Sequence, residues 1–279
     1  MLSILYGIAS AFSWGAGDFA GGLSSRKVGT YRAVFYADFF GLFLLLAAYF
    51  IYPEKLPDTR VIWLSAVGGM LGTIGLLILY YSLTKGLMSI AAPVSALFAA
   101  VLPVVVGSIT EGLPGPLQLI GFVFALVAVW LISQGDGSFH LNRLSDLRLP
   151  TLAGLGFGGY FIFLHNATQG TTATLWPMII SRVAGTLLVL TFVLTRRESL
   201  GVPGGAWTVV LINATLDLFG NFFYILASKS GRLDIAAVLS SLYPGATVIL
   251  AWLLLREHIS RLQIVGIVLA LGAIVLFTL

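Results

Sequence analysis

Long apolar runs, separated by glycine, proline and short charged clusters, occupy most of the sequence. A helix of about 20 apolar residues is roughly 30 Å long, which matches the hydrocarbon thickness of a bilayer. The connections between the runs are too short to hold a further domain. The pattern predicts an all-α integral membrane protein with ten transmembrane helices. The predicted spans cover residues 3 to 23, 32 to 52, 61 to 83, 89 to 110, 117 to 134, 151 to 168, 174 to 195, 206 to 227, 235 to 255 and 262 to 279.

The eighth predicted span carries a polar stripe. Asn213, Asp217 and Asn221 recur every four residues, and Tyr224 follows three residues later, so all four lie on one helical face. Asp217 lies eleven residues after Ala206, about 16 Å along the helix and therefore near the middle of the bilayer. An ionisable group at that depth costs about 2.5–3.5 kcal/mol on insertion scales, so it is expected to face a bundle interior or a water-filled cavity.

The two halves of the chain resemble each other. The clearest match pairs residues 80–85 (YYSLTK) with 224–229 (YILASK), and the motif at Ile90 (IAA) recurs at Ile235. Each half contains five predicted spans, an odd number, so the second half enters the membrane from the opposite face. The sequence therefore predicts an inverted repeat of residues 1–134 and 151–279, joined by a loop at 135–150. In such repeats the substrate site is expected near the midplane, between the halves.

Prolines interrupt two of the predicted spans. Pro93 and Pro103 lie in the fourth span and Pro244 lies in the ninth. Because proline lacks an N–H group and clashes with the preceding turn, these positions are expected to kink or break their helices. They are interpreted either as tolerated kinks or as hinges for gating.

The composition agrees with a membrane protein. Hydrophobic residues make up 58% of the chain and charged residues 9%, whereas about a quarter of a soluble domain is charged. Cysteine is absent, which excludes disulfides and thiolate metal sites. The net charge of +4 lies mostly in short connections, as in membrane proteins generally, and does not indicate nucleic-acid binding. No metal-ligand spacing and no phosphate-binding loop occurs, so no cofactor is expected.

Several segments carry a family resemblance: Trp14 to Phe19 (WGAGDF), Ile90 to Ser95 (IAAPVS), Leu239 to Pro244 (LSSLYP) and Arg256 to Ser260 (REHIS). With these motifs the chain resembles the EamA family of the drug/metabolite transporter superfamily, in two copies over nearly its whole length. The resemblance implies ten helices in two five-helix halves, alternating access, and export of amino acids, other metabolites or drugs. Family members often carry arginine in the second helix of each half. Arg182 matches that position, whereas Asp38 occupies it in the first half.

Charged residues and aromatic residues supply the candidate site. Trp14 is expected to line the cavity, and Asp18 either lies at its mouth or marks the interface. Asp38 and Arg182 are interpreted as a structural or gating ion pair, with a substrate carboxylate or snorkelling as alternatives for Arg182. Asp217 is expected to change protonation or charge partner during transport, or to bind a cationic substrate, or to pair with Arg182. Further lining residues are expected among Tyr80, Ser95, Tyr160, Trp176, Ser240 and Tyr243.

Together these features predict a secondary transporter, not an enzyme, in the cell inner (plasma) membrane. It is expected to export a small metabolite or amino acid by alternating access, driven by protons or by the gradient of the solute. The main alternative is efflux of drugs or organic cations, favoured by Asp18, Asp38 and Asp217 with the aromatic residues. An intramembrane enzyme is less favoured because no nucleophile and base pair can be identified. The expected partners are a small solute, the lipid bilayer and protons, with no nucleic acid.

Overall fold

The computed structural model describes residues 1–84, 88–133, 147–197, 199–255 and 258–278. Within these ranges every regular element is a helix, and no β-strand occurs. Most of the predicted loop at 135–150, and the charged junctions at Lys85 and Arg256, lie outside the described residues. The helices are α1 (Leu2–Val28), α2 (Thr30–Ile51), α3 (Thr59–Thr84), α4 (Met88–Thr110), α5 (Pro116–Ser133), α6 (Arg148–Thr168), α7 (Leu175–Arg196), α8 (Trp207–Lys229), α9 (Leu233–Ser240), α10 (Tyr243–Leu255) and α11 (Arg261–Thr278).

All ten predicted apolar runs are helical, and nine of them each form one helix. Six segments in the described part of the chain are long and apolar enough to cross a membrane. Large apolar side chains also cover the outside of the bundle: Phe50 is 83% exposed, Leu254 64% and Val268 62%. Such a surface would be unstable in water and is suited to lipid. The six segments are Thr30–Ile51, Thr59–Ser82, Leu175–Arg196, Gly204–Lys229, Leu233–Leu254 and Arg261–Thr278.

The ninth predicted span is broken, whereas the fourth is not. Helix α4 continues through Pro103, but α9 ends at Ser240 and α10 begins at Tyr243, immediately before Pro244. The nitrogen of Pro244 cannot donate to the carbonyl of Ser240, so the regular hydrogen-bond ladder is interrupted there. The connecting turn is closed by Leu242 N donating to Leu239 O at 3.2 Å.

Helix packing joins the first half of the chain to the second. Helix α1 packs on α8, and α6 packs on α3. Helix α1 also packs on α9 and α10, and α6 packs on α4, while α2 contacts α7 and α5 contacts α11. These larger contacts correspond between the halves: the α1–α8 contact matches the α6–α3 contact, and the packing of α1 on α9 and α10 matches the packing of α6 on α4.

Glycines mark the closest of these contacts. A Cβ atom at Gly156 would lie 3.0 Å from Cα of Gly75 on α3, and one at Gly158 would lie 3.0 Å from Cβ of Leu102 on α4. The run from Gly154 to Gly159 has the spacing of a dinucleotide-binding loop, but here it permits α6 to pack closely against two neighbouring helices.

Candidate functional site: a charged cavity between the halves

A cavity of about 100 Å³ lies where the two halves meet. Helices of both halves contribute to its wall, with α1, α2, α3 and α4 on one side and α6, α7, α8 and α10 on the other. The lining residues are Trp14, Asp18, Asp38, Gly69, Gly72, Thr73, Leu76, Leu79, Ala99, Phe157, Tyr160, Phe161, Ser181, Arg182, Asp217, Asn221 and Tyr243.

Arg182 holds two carboxylates from different helices. Its Nη1 donates to Asp38 Oδ1 at 2.6 Å, and its Nη2 donates to Asp217 Oδ2. The Arg182 side chain is 7% exposed, against 10% for Asp38 and 22% for Asp217. A buried guanidinium must be paired, and its planar fork of donors suits two carboxylates at once. Arg182 thus links α7 to α2 of the first half and to α8 of the second.

Small residues make room for this ion cluster. A Cβ atom at Gly41 would lie 3.3 Å from Arg182 Nε, and one at Gly185 would lie 2.7 Å from Asp38 Oδ2. The same Asp38 oxygen accepts a hydrogen bond from Thr73 Oγ1 at 3.2 Å. The Asp38 carboxylate is therefore satisfied by both Arg182 and α3, as a buried charge requires.

Asp217 is also part of a hydrogen-bonded chain that reaches α6. Asn221 Nδ2 donates to the Asp217 carbonyl at 2.6 Å, and the Tyr160 hydroxyl donates to Asn221 Oδ1. The same Asn221 Nδ2 also lies 3.4 Å from Asp217 Oδ2. Since Asn221 lies one turn after Asp217 on the same helix, the polar stripe provides both the carboxylate and an amide beside it.

Aromatic rings form one wall of the cavity. The indole of Trp14 lies 5.5 Å from the ring of Phe161 and 6.5 Å from that of Tyr160, measured between centroids. Behind them Tyr224 stacks on Trp14 at 6.0 Å and donates its hydroxyl hydrogen to the Phe161 carbonyl at 2.7 Å. Gly220 permits this arrangement, because a side chain there would overlap the Trp14 indole.

Asp18 differs from the other two cavity carboxylates. It lines the cavity and is partly exposed to it, yet it has no hydrogen-bonded or ion-paired partner among the described residues. Asp217 lies within electrostatic range of it. Among the described lining residues, three carboxyl groups therefore share one guanidinium.

The cavity brings together eight of the fourteen predicted site residues. These are Trp14, Asp18, Asp38, Tyr160, Arg182, Asp217, Asn221 and Tyr243. In the part of the chain that the structure describes, no group of three or more His, Asp or Glu side chains is placed to hold a metal ion.

The remaining six predicted residues lie outside the cavity wall. Trp176 is in the first turn of α7, where its Nε1 donates to the Glu54 carbonyl at 3.3 Å. Asn213 packs against Gly21 of α1: a Cβ atom added at Gly21 would lie only 3.0 Å from Asn213 Oδ1. The other four, all of them buried, are Tyr80, Ser95, Tyr224 and Ser240.

Sequence reasoning did not identify several lining residues, among them Thr73, Phe157, Phe161 and Ser181. The one sequence signal near these residues is the spacing of glycines in α3 and α6. Glycines three or four residues apart indicate the face of a helix on which another helix packs. That pattern locates the contact between α3 and α6, but it does not show which neighbouring side chains face an open space.

The fold and the site define a class: a multi-pass helical membrane protein with a charged cavity between two similar halves, as in membrane transporters. The chain belongs to the EamA-like transporter family, whose model matches residues 1–134 and 149–279. The family is part of the drug/metabolite transporter superfamily.

Two individual proteins are similar to this chain. An uncharacterized protein of Methanocaldococcus jannaschii is 30% identical over 105 residues, which are 38% of this chain and 77% of that protein. That relative is therefore about half as long as this chain. A protein of known crystal structure has the same fold, with a TM-score of 0.82 and 16% identity over 99% of this chain and 98% of that one.

Proposed function

We propose that this protein is a secondary active transporter that moves a small solute across the cell inner membrane by alternating access. In this proposal the ten apolar helical runs span the membrane as two inverted five-helix halves, and the solute is a small metabolite or amino acid that is exported. The observation that carries the proposal is the ion cluster around Arg182 in a cavity between the halves.

The correspondence of the larger helix contacts between the halves supports the two-half arrangement. In inverted-repeat transporters, rocking of one half against the other exposes a central site to each side in turn. The half-length relative supports it as well, because a chain of that size corresponds to about one five-helix unit.

Arg182 supplies an element whose contacts change when the helices move. It bonds Asp38 on α2 and Asp217 on α8, so any movement of α7 relative to either helix must alter one of these pairs. A carboxylate that loses its cation in a desolvated site takes up a proton or binds a cationic solute. We therefore propose Asp217, the more exposed of the two, as the group that couples transport to protons.

The test uses purified protein in liposomes preloaded with unlabelled solute, and it measures counterflow of labelled amino acids, nucleosides and amines. A solute that exchanges is then offered with an imposed pH gradient. The parent should accumulate it, whereas Asp217→Asn should exchange it without accumulation, because the amide mimics the protonated acid.

Asp58→Asn is the matched control, since Asp58 is an exposed carboxylate that caps α3 outside the cavity. Accumulation by Asp217→Asn equal to that of the parent would show that Asp217 does not couple transport to protons. Absence of exchange for every solute in the panel would contradict the transport proposal itself.

A further inference from the structure

The charges of the cavity indicate which solutes it suits. Both terminal nitrogens of Arg182 are already bonded to carboxylates, and its Nε packs against Gly41. No free guanidinium fork is therefore presented to a carboxylate of the solute, although such a fork is what recognises anions in proteins. Among the described residues, the cavity has no free cationic donor, and none of them bonds the carboxylate oxygens of Asp18.

The position of Asp18 beside the aromatic wall adds a second, independent feature. Trp14 lies one helical turn before Asp18 on α1, and Tyr243 lines the same cavity from α10. An organic ammonium ion is attracted both by a carboxylate and by the faces of aromatic rings, and each attraction strengthens when water is excluded.

We propose that the solute is a small organic ammonium ion, whose charged nitrogen binds Asp18 next to Asp217 and whose apolar part lies against Trp14. This inference rests on the proposed transport function and specifies its substrate class. Binding would place a cation among three carboxyl groups that share the single guanidinium of Arg182.

The experiment compares three probes of nearly the same shape: butylammonium, neutral 1-butanol and the anion butanoate. Thermal unfolding of the purified parent is measured with each probe, since a ligand that binds only the folded state raises the unfolding temperature. Butylammonium should raise it in proportion to the logarithm of concentration, whereas butanol and butanoate at equal ionic strength should not.

Variants identify the carboxylate responsible. Asp18→Asn should lose the stabilisation by butylammonium, Asp18→Glu should retain it, and Asp58→Asn should behave as the parent. The pair of Asp18 variants keeps the test valid if Asp18→Asn alone folds poorly. Equal stabilisation of Asp18→Asn and parent, or equal stabilisation by all three probes, would overturn the inference.

Counterflow separates this failure from failure of the proposed function. If the protein exchanges amino acids or anions and butylammonium does not change the rate of exchange, the transporter proposal stands. The inference that the solute is an organic ammonium ion is then refuted.

A second inference comes from a different part of the molecule. Glu111, directly after α4, contacts the second half of the chain: its Oε1 lies 3.0 Å from His165 Nε2 on α6, and it accepts from Leu233 N at 3.3 Å. Arg232, in the α8–α9 connection, donates to the Gly112 carbonyl at 2.7 Å and to Asp234 Oδ2 at 2.8 Å. Hydrogen bonding to Asp234 raises the pKa of the Arg232 guanidinium further, so it remains charged.

This cluster of Glu111, His165, Arg232 and Asp234 lies on the face of the bundle that holds the α4–α5 and α8–α9 connections. The cavity carboxylates Asp18 and Asp38 instead lie toward the opposite ends of α1 and α2. The bonds between the halves thus close one face, while the cavity is displaced toward the other.

We infer that this cluster is a latch, which closes its own face of the transporter and must open when the cavity turns toward that face. The chain has no cysteine, so a single introduced cysteine can report on access. Ser181→Cys places the reporter in the cavity wall. Lys55→Cys in a separate sample identifies the latch face in sealed vesicles. Lys55 lies in the α2–α3 connection, whose Glu54 accepts from Thr174 N beside Ala173, the residue bonded by Lys229 at the end of α8.

A membrane-impermeant maleimide is then applied from each side. Loss of one charged hydrogen bond should shift the balance between the two states by about tenfold. In the Glu111→Gln and Arg232→Gln variants, the maleimide should therefore react with the cysteine introduced by Ser181→Cys faster from the latch face. From the other face it should react more slowly. Unchanged labelling from the latch face in both variants, or an equal rise in an Asp58→Asn control, would refute the latch.

Discussion

Removal of Arg182 should destabilise the protein more than removal of either of its partners. In Arg182→Gln two carboxylates, Asp38 and Asp217, lose their cation together. Breaking a buried ion pair from one side typically costs about 3–5 kcal/mol, because the remaining charge is left unpaired. In Asp38→Asn, by contrast, Arg182 keeps Asp217, and the amide can still accept from Thr73. That variant should lose about 1–3 kcal/mol, the usual cost of one charged hydrogen bond.

The measurement is the free energy of unfolding in mixed micelles, obtained from titration with a denaturing detergent. Arg196→Gln is the matched control, because it removes an exposed arginine from the same helix and should leave the free energy nearly unchanged. The double variant Asp38→Asn with Arg182→Gln should cost less than the two single losses added together, by about 0.5–3 kcal/mol. Simple additivity, or a larger loss in Asp38→Asn than in Arg182→Gln, would refute this account of the ion cluster.

Two further predictions concern residues that shape the site from outside. Gly220→Ala should displace the Trp14 indole and impair solute exchange in liposomes, whereas Gly22→Ala, which meets nothing within 4 Å, should exchange as the parent does. Glu54→Ala should lower the free energy of unfolding by about 0.5–2 kcal/mol, because the Glu54 carboxylate accepts from the backbone N–H groups of Thr174, Leu175 and Trp176 at the start of α7. Glu54→Gln keeps an acceptor oxygen and should lose less, so equal losses in the two variants would contradict capping.

The sequence predicted the helices well, because the length of an apolar run and the period of its polar positions are local properties. It also suggested that Asp38 and Arg182 share one site, since they occupy equivalent positions in the two halves. It left open whether Arg182 would meet Asp38, Asp217 or a solute. The observed bonds to both carboxylates depend on the rotation and spacing of three helices, and no local pattern in the sequence specifies these.

The polar stripe of α8 shows why the site residues were only partly predictable. Asn213 and Tyr224 lie on the same face as Asp217, but they are separated by about 16 Å along the helix axis. The cavity reaches only the middle of this length, at Asp217 and Asn221, and the ends of the stripe pack against α1 and α6. Helical periodicity gives the face of a residue, whereas its depth relative to a cavity depends on how neighbouring helices end and bend.

The interruption between α9 and α10 affects how the chain can be assembled during synthesis. Helix α10 has 13 residues, about 20 Å, and α9 has eight, about 12 Å, so neither is long enough to cross the hydrocarbon core alone. The two must insert as one unit, with the turn between them at bilayer depth.

Backbone groups of such a turn need protein partners, because lipid offers no hydrogen bonds. The turn satisfies part of this need itself, through Leu242 N donating to Leu239 O and Gly245 N donating to Leu242 O. Helix α1 packs closely against it at Gly15, whose carbonyl accepts from the Thr247 hydroxyl at 3.0 Å, and so covers this side of the turn. A helix that is synthesised early, α1, thus packs against a pair synthesised much later, α9 and α10. It must remain available at the insertion site until the ninth span arrives, which makes membrane integration of this broken span depend on the order of synthesis.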